Sequence, residues 1–444
     1  MKNSTKYLVA VPFMVGAIVI GLSNCTKHDQ VLDLTTPTPV LNTQTLFSVR
    51  GTATLQPIGG PAWDGSIEAA WNNATKLTVH AAVPDLGNGT FTGYVGNATD
   101  ITMRSLYDDS NIYYLVEFNT PQKNVKSSQW YFNPAQTDMT KKWAQEAGAP
   151  TLNPDGSTFR PPFAQDQFVI MFNISCQTFN SLSCYAACHV NSSYGGPVIP
   201  GGGVMYTNGP NERLDVIRAR MLQVVNVNQA NDCFIDDGSS VGLGGSGTLD
   251  KNEVHGDWQV NNGSSSTVPP QFQSAQPADG GFNNKQTIKI TGTANIKEAI
   301  PLWVIPSGSY NNSAILLKDT LPGGAAVKVI AVDSLGVLTL ANATTIDPRV
   351  GTDYKQVGSG DGPKCIPGSI VAPYTGSRGD VTANAFYTGT GWILLLKRAL
   401  KTTDTENDLD FSSLNDQPFG IGAMFNGADN QHAIVAGLTL HFQK

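Results

Sequence analysis

The sequence predicts a mainly β protein: a β-sandwich of the immunoglobulin-like or jelly-roll type, with long loops and one or two short helices. Three observations lead there. Short segments in which apolar residues alternate with polar ones recur from about residue 46 to the C-terminus. Glycine (45) and proline (26) are frequent among the 444 residues, and both are turn formers. Charged residues make up only 14%, a composition that suits short strands joined by many turns.

The chain opens on a targeting segment rather than a fold element. Lys2 and Lys6 flank the start of an apolar run from Tyr7 to Leu22, and Ser23, Asn24 and Cys25 follow. The run is too short to span a bilayer comfortably. Small residues leading to a cysteine resemble a bacterial lipoprotein signal, so residues 1–24 read as a cleaved signal peptide and Cys25 as the lipid-bearing residue. Asn24 stands where such signals prefer Gly or Ala; an ordinary signal peptide or an uncleaved anchor is the alternative. Each version exports the chain to an oxidising compartment, the periplasm or the outer membrane. Residues 25–45 are polar, hold two prolines and show no period, as a flexible tether does. Residues 46–444 read as a single elaborated domain. A formal net charge of −7 argues against a nucleic-acid partner.

Within that domain, Ile101 and Met103 alternate with polar residues and Asp108 to Asn111 form a turn. Ile112, Tyr114, Val116 and Phe118 then share the inward face of a return strand. DQFVIMFNI, residues 166–174, is apolar on both faces and reads as a buried strand. The one helical stretch is NERLDVIRARMLQVV, where Leu214, Ile217 and Met221 recur at helical spacing. Residues 236–281, rich in Gly, Ser and Pro, form a long loop. Strands resume with QTIKITG, IPLWVIP, AVKVIAV and GVLTLA. The chain ends on a hairpin around Thr388 to Gly391, followed by PFGIGAMFNG and AIVAGLTLHF. Strands from both ends of the chain build the sandwich.

No catalytic pattern stands out: there is no serine nucleophile elbow, no H-E-x-x-H and no phosphate-binding glycine loop before a helix. The acidic stretch DDGSSVGLGGSGTLDKNE lacks the spacing of a calcium hand and leaves at most a weak calcium site. The cysteines carry more signal. Beyond Cys25 they are Cys176, Cys184, Cys188, Cys233 and Cys365, an odd number that intrachain disulfides cannot exhaust. CYAACH places Cys184 and Cys188 just before His189, one residue longer than the C-x-x-C-H of covalent haem attachment. Read alone, it fits haem attachment, a local disulfide or separately placed thiols. Zinc is disfavoured because His189 is the only histidine in the segment.

WDGSIEAAWNNATKLTV, DITMRSLYDDSNIYYLVEFNT, DQFVIMFNI, GSRGDVTANAFYTGTGWILLLKRAL and PFGIGAMFNGADNQHAIVAGLTLHF, in that order, resemble the haem-binding domain of the gamma subunit of ethylbenzene dehydrogenase and related periplasmic cytochromes. The resemblance covers most of residues 61–444. It implies a β-sandwich that carries electrons between redox partner proteins and has no catalysis of its own. A c-type haem would be attached at Cys184 and Cys188 with His189 on the iron; b-type haem is the second version. Met171 of FVIMF matches the family's axial methionine, with His255 or His432 as other second ligands. Arg218 and Arg220 would face haem propionates or else be surface charge. Cys233 and Cys365 form one of several open pairings, which leaves Cys176 over.

A function of another class stands beside this one: a surface carbohydrate-binding or adhesion β-sandwich module without haem. Sandwich folds host both. Its mark would be aromatics such as Trp130, Tyr131, Trp258 or Tyr310 lining a groove.

Overall fold

A computed structural model describes residues 44–55, 63–84, 95–121, 123–127, 129–145, 165–186, 207, 212–235, 280–306, 314–351, 354, 365–425 and 433–444. The first half of the chain supplies β1 (Thr45–Arg50), β2 (Leu77–Ala82), β3 (Ala98–Tyr107), β4 (Asn111–Asn119), β5 (Trp130–Phe132), β6 (Trp143–Gln145), β7 (Gln167–Asn173), β8 (Leu214–Arg220) and β9 (Asn231–Ile235). A middle segment adds β10 (Phe282–Asn283), β11 (Gln286–Lys289), β12 (Lys297–Ile300), β13 (Trp303–Val304), β14 (Ile315–Leu316), β15 (Val327–Val332), β16 (Leu338–Leu340), β17 (Thr345–Ile346) and β18 (Ser369–Val371). The C-terminal part gives β19 (Thr382–Tyr387), β20 (Gly391–Ala399), β21 (Gln417–Met424) and β22 (Ala433–Gln443). Two short helices, α1 (Phe179–Leu182) and α2 (Met221–Val227), interrupt them. The fold class is as the sequence predicts: mainly β, a sandwich with few helices.

Eleven strands make one sheet, in the order β19-β20-β4-β3-β1-β22-β21-β7-β8-β9, with β2 laid against β3 and β22. Its two ends meet. The Ala230 N–H donates to the Val381 carbonyl (3.1 Å), the Ala383 N–H donates to the Asn228 carbonyl (2.9 Å), and Gln229 bridges Thr382 between them. The sheet therefore closes on itself as a flattened sandwich, and its edge backbone groups find partners instead of lying bare.

The main core fills the space between the two halves. Phe118 of β4 stacks on Phe168 of β7, with centroids 6.1 Å apart, and Tyr114 tilts over Phe172 at 6.4 Å. Those strands are not neighbours in the sheet, so these contacts cross the sandwich. Trp392, Leu394 and Leu396 of β20 point into the same core. Each large apolar side chain buried in this way contributes about 1.5–3 kcal/mol. A second cluster gathers Trp130, Phe132, Trp143, Ile300, Val329 and Leu340 from β5, β6, β12, β15 and β16, together with Ile290 just after β11. Its indoles are fixed at both ends: Trp130 Nε1 donates to the Asn284 carbonyl and Trp143 Nε1 to the Gly336 carbonyl, each at 2.7 Å. On the outer face of β3, β4 and β20, Trp71 and Ala53 cover Leu106, Tyr113, Leu115 and Leu395.

One element departs from its sequence pattern. Leu214–Arg220 is a strand, paired to β7 on one side and β9 on the other, and the helix begins only at Met221. The spacing of Leu214, Ile217 and Met221 is helical, but a strand buried on both faces is apolar throughout and also satisfies that spacing. Two flanking ladders supply hydrogen bonds and packing that override the local preference.

Candidate functional site

Two features beyond the apolar core gather polar chemistry, one outside the sandwich and one inside. On the outer face, Phe386 of β19 pairs with Ile393 of β20, Ile393 with Glu117 of β4, Glu117 with Thr102 of β3, and Thr102 with Thr78 of β2. Directly paired residues share a face. The alternating positions Trp392, Leu394, Val116, Phe118, Ile101 and Met103 are in the core, so this row looks outward. Phe386, Ile393, Glu117 and Thr102 are partly exposed and Thr78 is exposed. With strands about 4.8 Å apart, the row runs about 19 Å across the sheet.

Trp63 packs over Phe386 and, with Ile393, against the covered cluster of Trp71, Leu115 and Leu395. The Trp63 and Phe386 rings meet edge to face with centroids 6.2 Å apart, and Trp63 Nε1 donates to the Ser66 carbonyl (2.8 Å). At the far end the hydroxyls of Thr78 and Thr102 lie 3.0 Å apart, beside an exposed His80–Asp100 pair at 2.8 Å. The strip thus grades from aromatic through aliphatic to carboxylate and hydroxyl.

Inside the sandwich, Arg398 follows Trp392, Leu394 and Leu396 at the inward positions of β20. Its Nη1 donates to both carboxylate oxygens of Asp215 on β8 (3.0 and 2.8 Å) and to Asp232 Oδ1 on β9 (3.2 Å). Its Nη2 donates to the Leu409 carbonyl (3.0 Å), while the Leu409 N–H donates to Asp215 Oδ2 (2.8 Å). The guanidinium also lies over the Phe411 ring, 5.1 Å from its centroid. All three charged side chains are fully buried. Asp408, on the loop after β20, completes the group: one oxygen from each of Asp215, Asp232 and Asp408 lies within 4.8 Å of the others. Burial pushes the pKa of Asp215 up, against the opposing pull of Arg398, and raises that of Asp232 well above the usual carboxylate range. Asp408 is pushed to about 7, first by burial and then by the Asp215 charge. These carboxylates hold the Arg398 guanidinium charged in spite of its burial.

The residues singled out from sequence fall elsewhere. Met171 sits mid-strand in β7 between Val216 and Gly420, 3% exposed, as part of the apolar core. Arg218 is buried rather than on the surface and donates from Nε to Gln167 Oε1 (2.9 Å). Arg220 ends β8, partly exposed. Cys176 is a buried thiol 3.5 Å from the Thr178 hydroxyl, and burial raises its pKa. The Cys233 thiol donates to the Val216 carbonyl (3.3 Å), and Cys365 is buried next to Ile366, which bridges Trp130. Cys184 lies on the 3-10 turn Ser183–Ala186. Cys25, Cys188, His189, His255, His432, Trp258 and Tyr310 lie outside the described residues. Trp130 is core and lines no groove; Tyr131 is half-buried.

Sequence reading missed Asp215, Asp232, Asp408 and Arg398. A signal for Arg398 was present: in GWILLLKRAL it occupies the inward alternation of Trp392, Leu394 and Leu396, where a charge demands buried partners.

No protein-family model matches the chain, and no curated protein matches it. Among solved structures, a carbohydrate binding module family 9 (CBM9) from Caldicellulosiruptor kristjanssonii in complex with cellotriose covers 90% of this chain and 95% of its own, with a TM-score of 0.26 and 8% identity. A likeness that slight carries no argument about function. The comparisons do correct the family reading. No haem-domain or cytochrome family matches, so the resemblance to the ethylbenzene dehydrogenase gamma subunit is withdrawn, and the haem and electron-transfer reading loses the support it drew from it. The segments that suggested it are paired strands and tight turns of the sandwich, whose alternation any such fold requires.

Proposed function

We propose that the protein is an exported glycan-binding β-sandwich module, tethered to a membrane surface by lipid on Cys25. The observation that supports this is the outward row Phe386–Ile393–Glu117–Thr102–Thr78, with Trp63 packed over Phe386. A sugar ring has an apolar C–H face and an equatorial rim of hydroxyls. Aromatic and aliphatic side chains cover the first; a carboxylate and threonine hydroxyls accept from and donate to the second. A strip about 19 Å long has room for several sugar residues of an extended chain.

The test is a glycan array followed by calorimetry, using the full mature chain in detergent. Phe386→Ala removes the ring and Glu117→Gln removes the charged acceptor. Each weakens the bound glycan by about 1–2 kcal/mol, roughly 5- to 30-fold in Kd. Ile330→Ala, on the outer side of β15, leaves binding unchanged. A chain that retains no glycan, or one for which both row variants bind as wild type does, refutes the proposal.

A further inference from the structure

We propose that Asp215, Asp232 and Asp408 hold one divalent cation of the hard, oxygen-preferring class, calcium foremost, inside the sandwich at its β8–β9 end. Charge is the first reason. Three buried carboxylates face one guanidinium, and Asp380 and Asp404 add to the negative field around them. Arg213 is paired with Glu406 and Lys401 with Asp410. Fully ionised, the three carboxylates would exceed the Arg398 charge by two, and a buried charge without compensation is strongly disfavoured.

Unused ligand atoms are the second. Arg398 occupies Asp215 and Asp232 Oδ1, yet Asp232 Oδ2 and Asp408 Oδ2 are buried with no hydrogen-bond partner among the described residues. A further unpartnered group comes from the opposite half of the sandwich. The Tyr114 hydroxyl is fully buried and has no partner either. Its ring lies over Phe172, the cross-strand partner of Asp215, and its own strand position neighbours the Ile112–Arg398 pair. A buried phenol is normally hydrogen-bonded. The charges of Arg398 and Asp215 act on this hydroxyl, which places it at the cluster, where a bound ion and its waters would give it and the orphan carboxylate oxygens partners.

Geometry and ligand type select the class. Calcium binds oxygen at about 2.3–2.6 Å, so two ligands on opposite sides of one ion stand about 5 Å apart. The 4.8 Å spread of the three carboxylates fits within that. The donor set is oxygen alone, without imidazole or thiolate, which disfavours zinc and copper. Asp232 would bridge, Oδ1 to Arg398 and Oδ2 to the ion.

The full mature chain, stripped with a chelator and desalted, is equilibrated with calcium, magnesium or manganese, and bound metal is measured by mass spectrometry alongside the melting temperature. One calcium per chain is expected, with a Kd on the order of 0.1–1 mM as in extracellular calcium modules. At about 100 times Kd the folded-to-unfolded ratio rises about 100-fold. Asp408→Asn and Asp232→Asn lose the bound ion and its stabilisation, whereas Asp380→Asn keeps both. Wild-type chain that is folded but binds none of the three metals overturns the proposal. So does an Asp408→Asn chain that binds as wild type does, or a cluster stabilised by acid alone with no response to metal. Glycan binding is read separately at the outer row, so either result stands without the other.

Discussion

Asp166 precedes β7 with its side chain in the core, and replacing it by asparagine isolates what its charge does. Its Oδ2 accepts from the Trp392 indole N–H (2.8 Å) and from the Asn124 N–H (3.0 Å), while Oδ1 has no partner among the described residues. The two hydrogen bonds favour the carboxylate. Burial opposes them and prevails, pushing the pKa to about 7 from an ordinary 3.8. Because the folded pKa is the higher one, the group's contribution is complete below the unfolded value and is lost as pH rises through 7. Each pH unit in that window removes about 1.4 kcal/mol. Between about pH 5 and pH 8 the wild type should therefore lose about 2–3 kcal/mol relative to Asp166→Asn, which keeps the shape and cannot ionise. Asp408 and Glu298, also raised to about 7, are common to both chains and cancel in the difference. Urea unfolding at matched pH, followed by tryptophan fluorescence, measures it. A difference that stays flat across the window would refute the reasoning, since it would mean that Asp166 is ionised throughout.

Two further substitutions test other parts of the fold. Arg398→Met strands Asp215 and Asp232 and should cost about 3–5 kcal/mol near neutral pH. The cost should shrink in acid as the carboxyls take up protons, which urea unfolding at two pH values will show. Gly281→Ala meets two obstacles, a φ of +97° and an Ile370 carbonyl oxygen only 2.0 Å from the new Cβ. It should cost roughly 2 kcal/mol or more and loosen the β10–β18 pairing, with faster amide exchange around Phe282 and Ile370 as the readout.

What could be read from the sequence was local. The β3–β4 hairpin was legible because alternation and turn chemistry coincide: Asp108 Oδ1 accepts the N–H groups of Ser110 and Asn111, both at 2.8 Å. The β19–β20 hairpin was visible for the same kind of reason, and buried β7 because it is apolar on both faces. β8 was not, since its apolar spacing is shared by helix and doubly buried strand, and only its two partner strands decide between them. The site features were harder still. Phe386, Ile393, Glu117, Thr102 and Thr78 come from five strands and are aligned by register alone, which no local pattern records. Arg398 could be suspected from its inward position, but its partners Asp215 and Asp232 lie on strands far away in the chain. CYAACH drew attention because cysteine and histidine are rare and reactive, whereas the structured polar chemistry rests on ordinary aspartates.

β1 lies between β3 and β22 and runs parallel to both, with Thr45 opposite Thr439 and Ser48 opposite Ser105. The first strand among the described residues thus has half its seat made by the last. Contacts of such long sequence separation cost loop entropy before they reward it, and they slow folding. An emerging chain can form its hairpins early but cannot shut the sheet until β22 arrives. On the proposed reading of an exported module, this delay is useful: the chain stays loosely folded, and so threadable, until β22 is made.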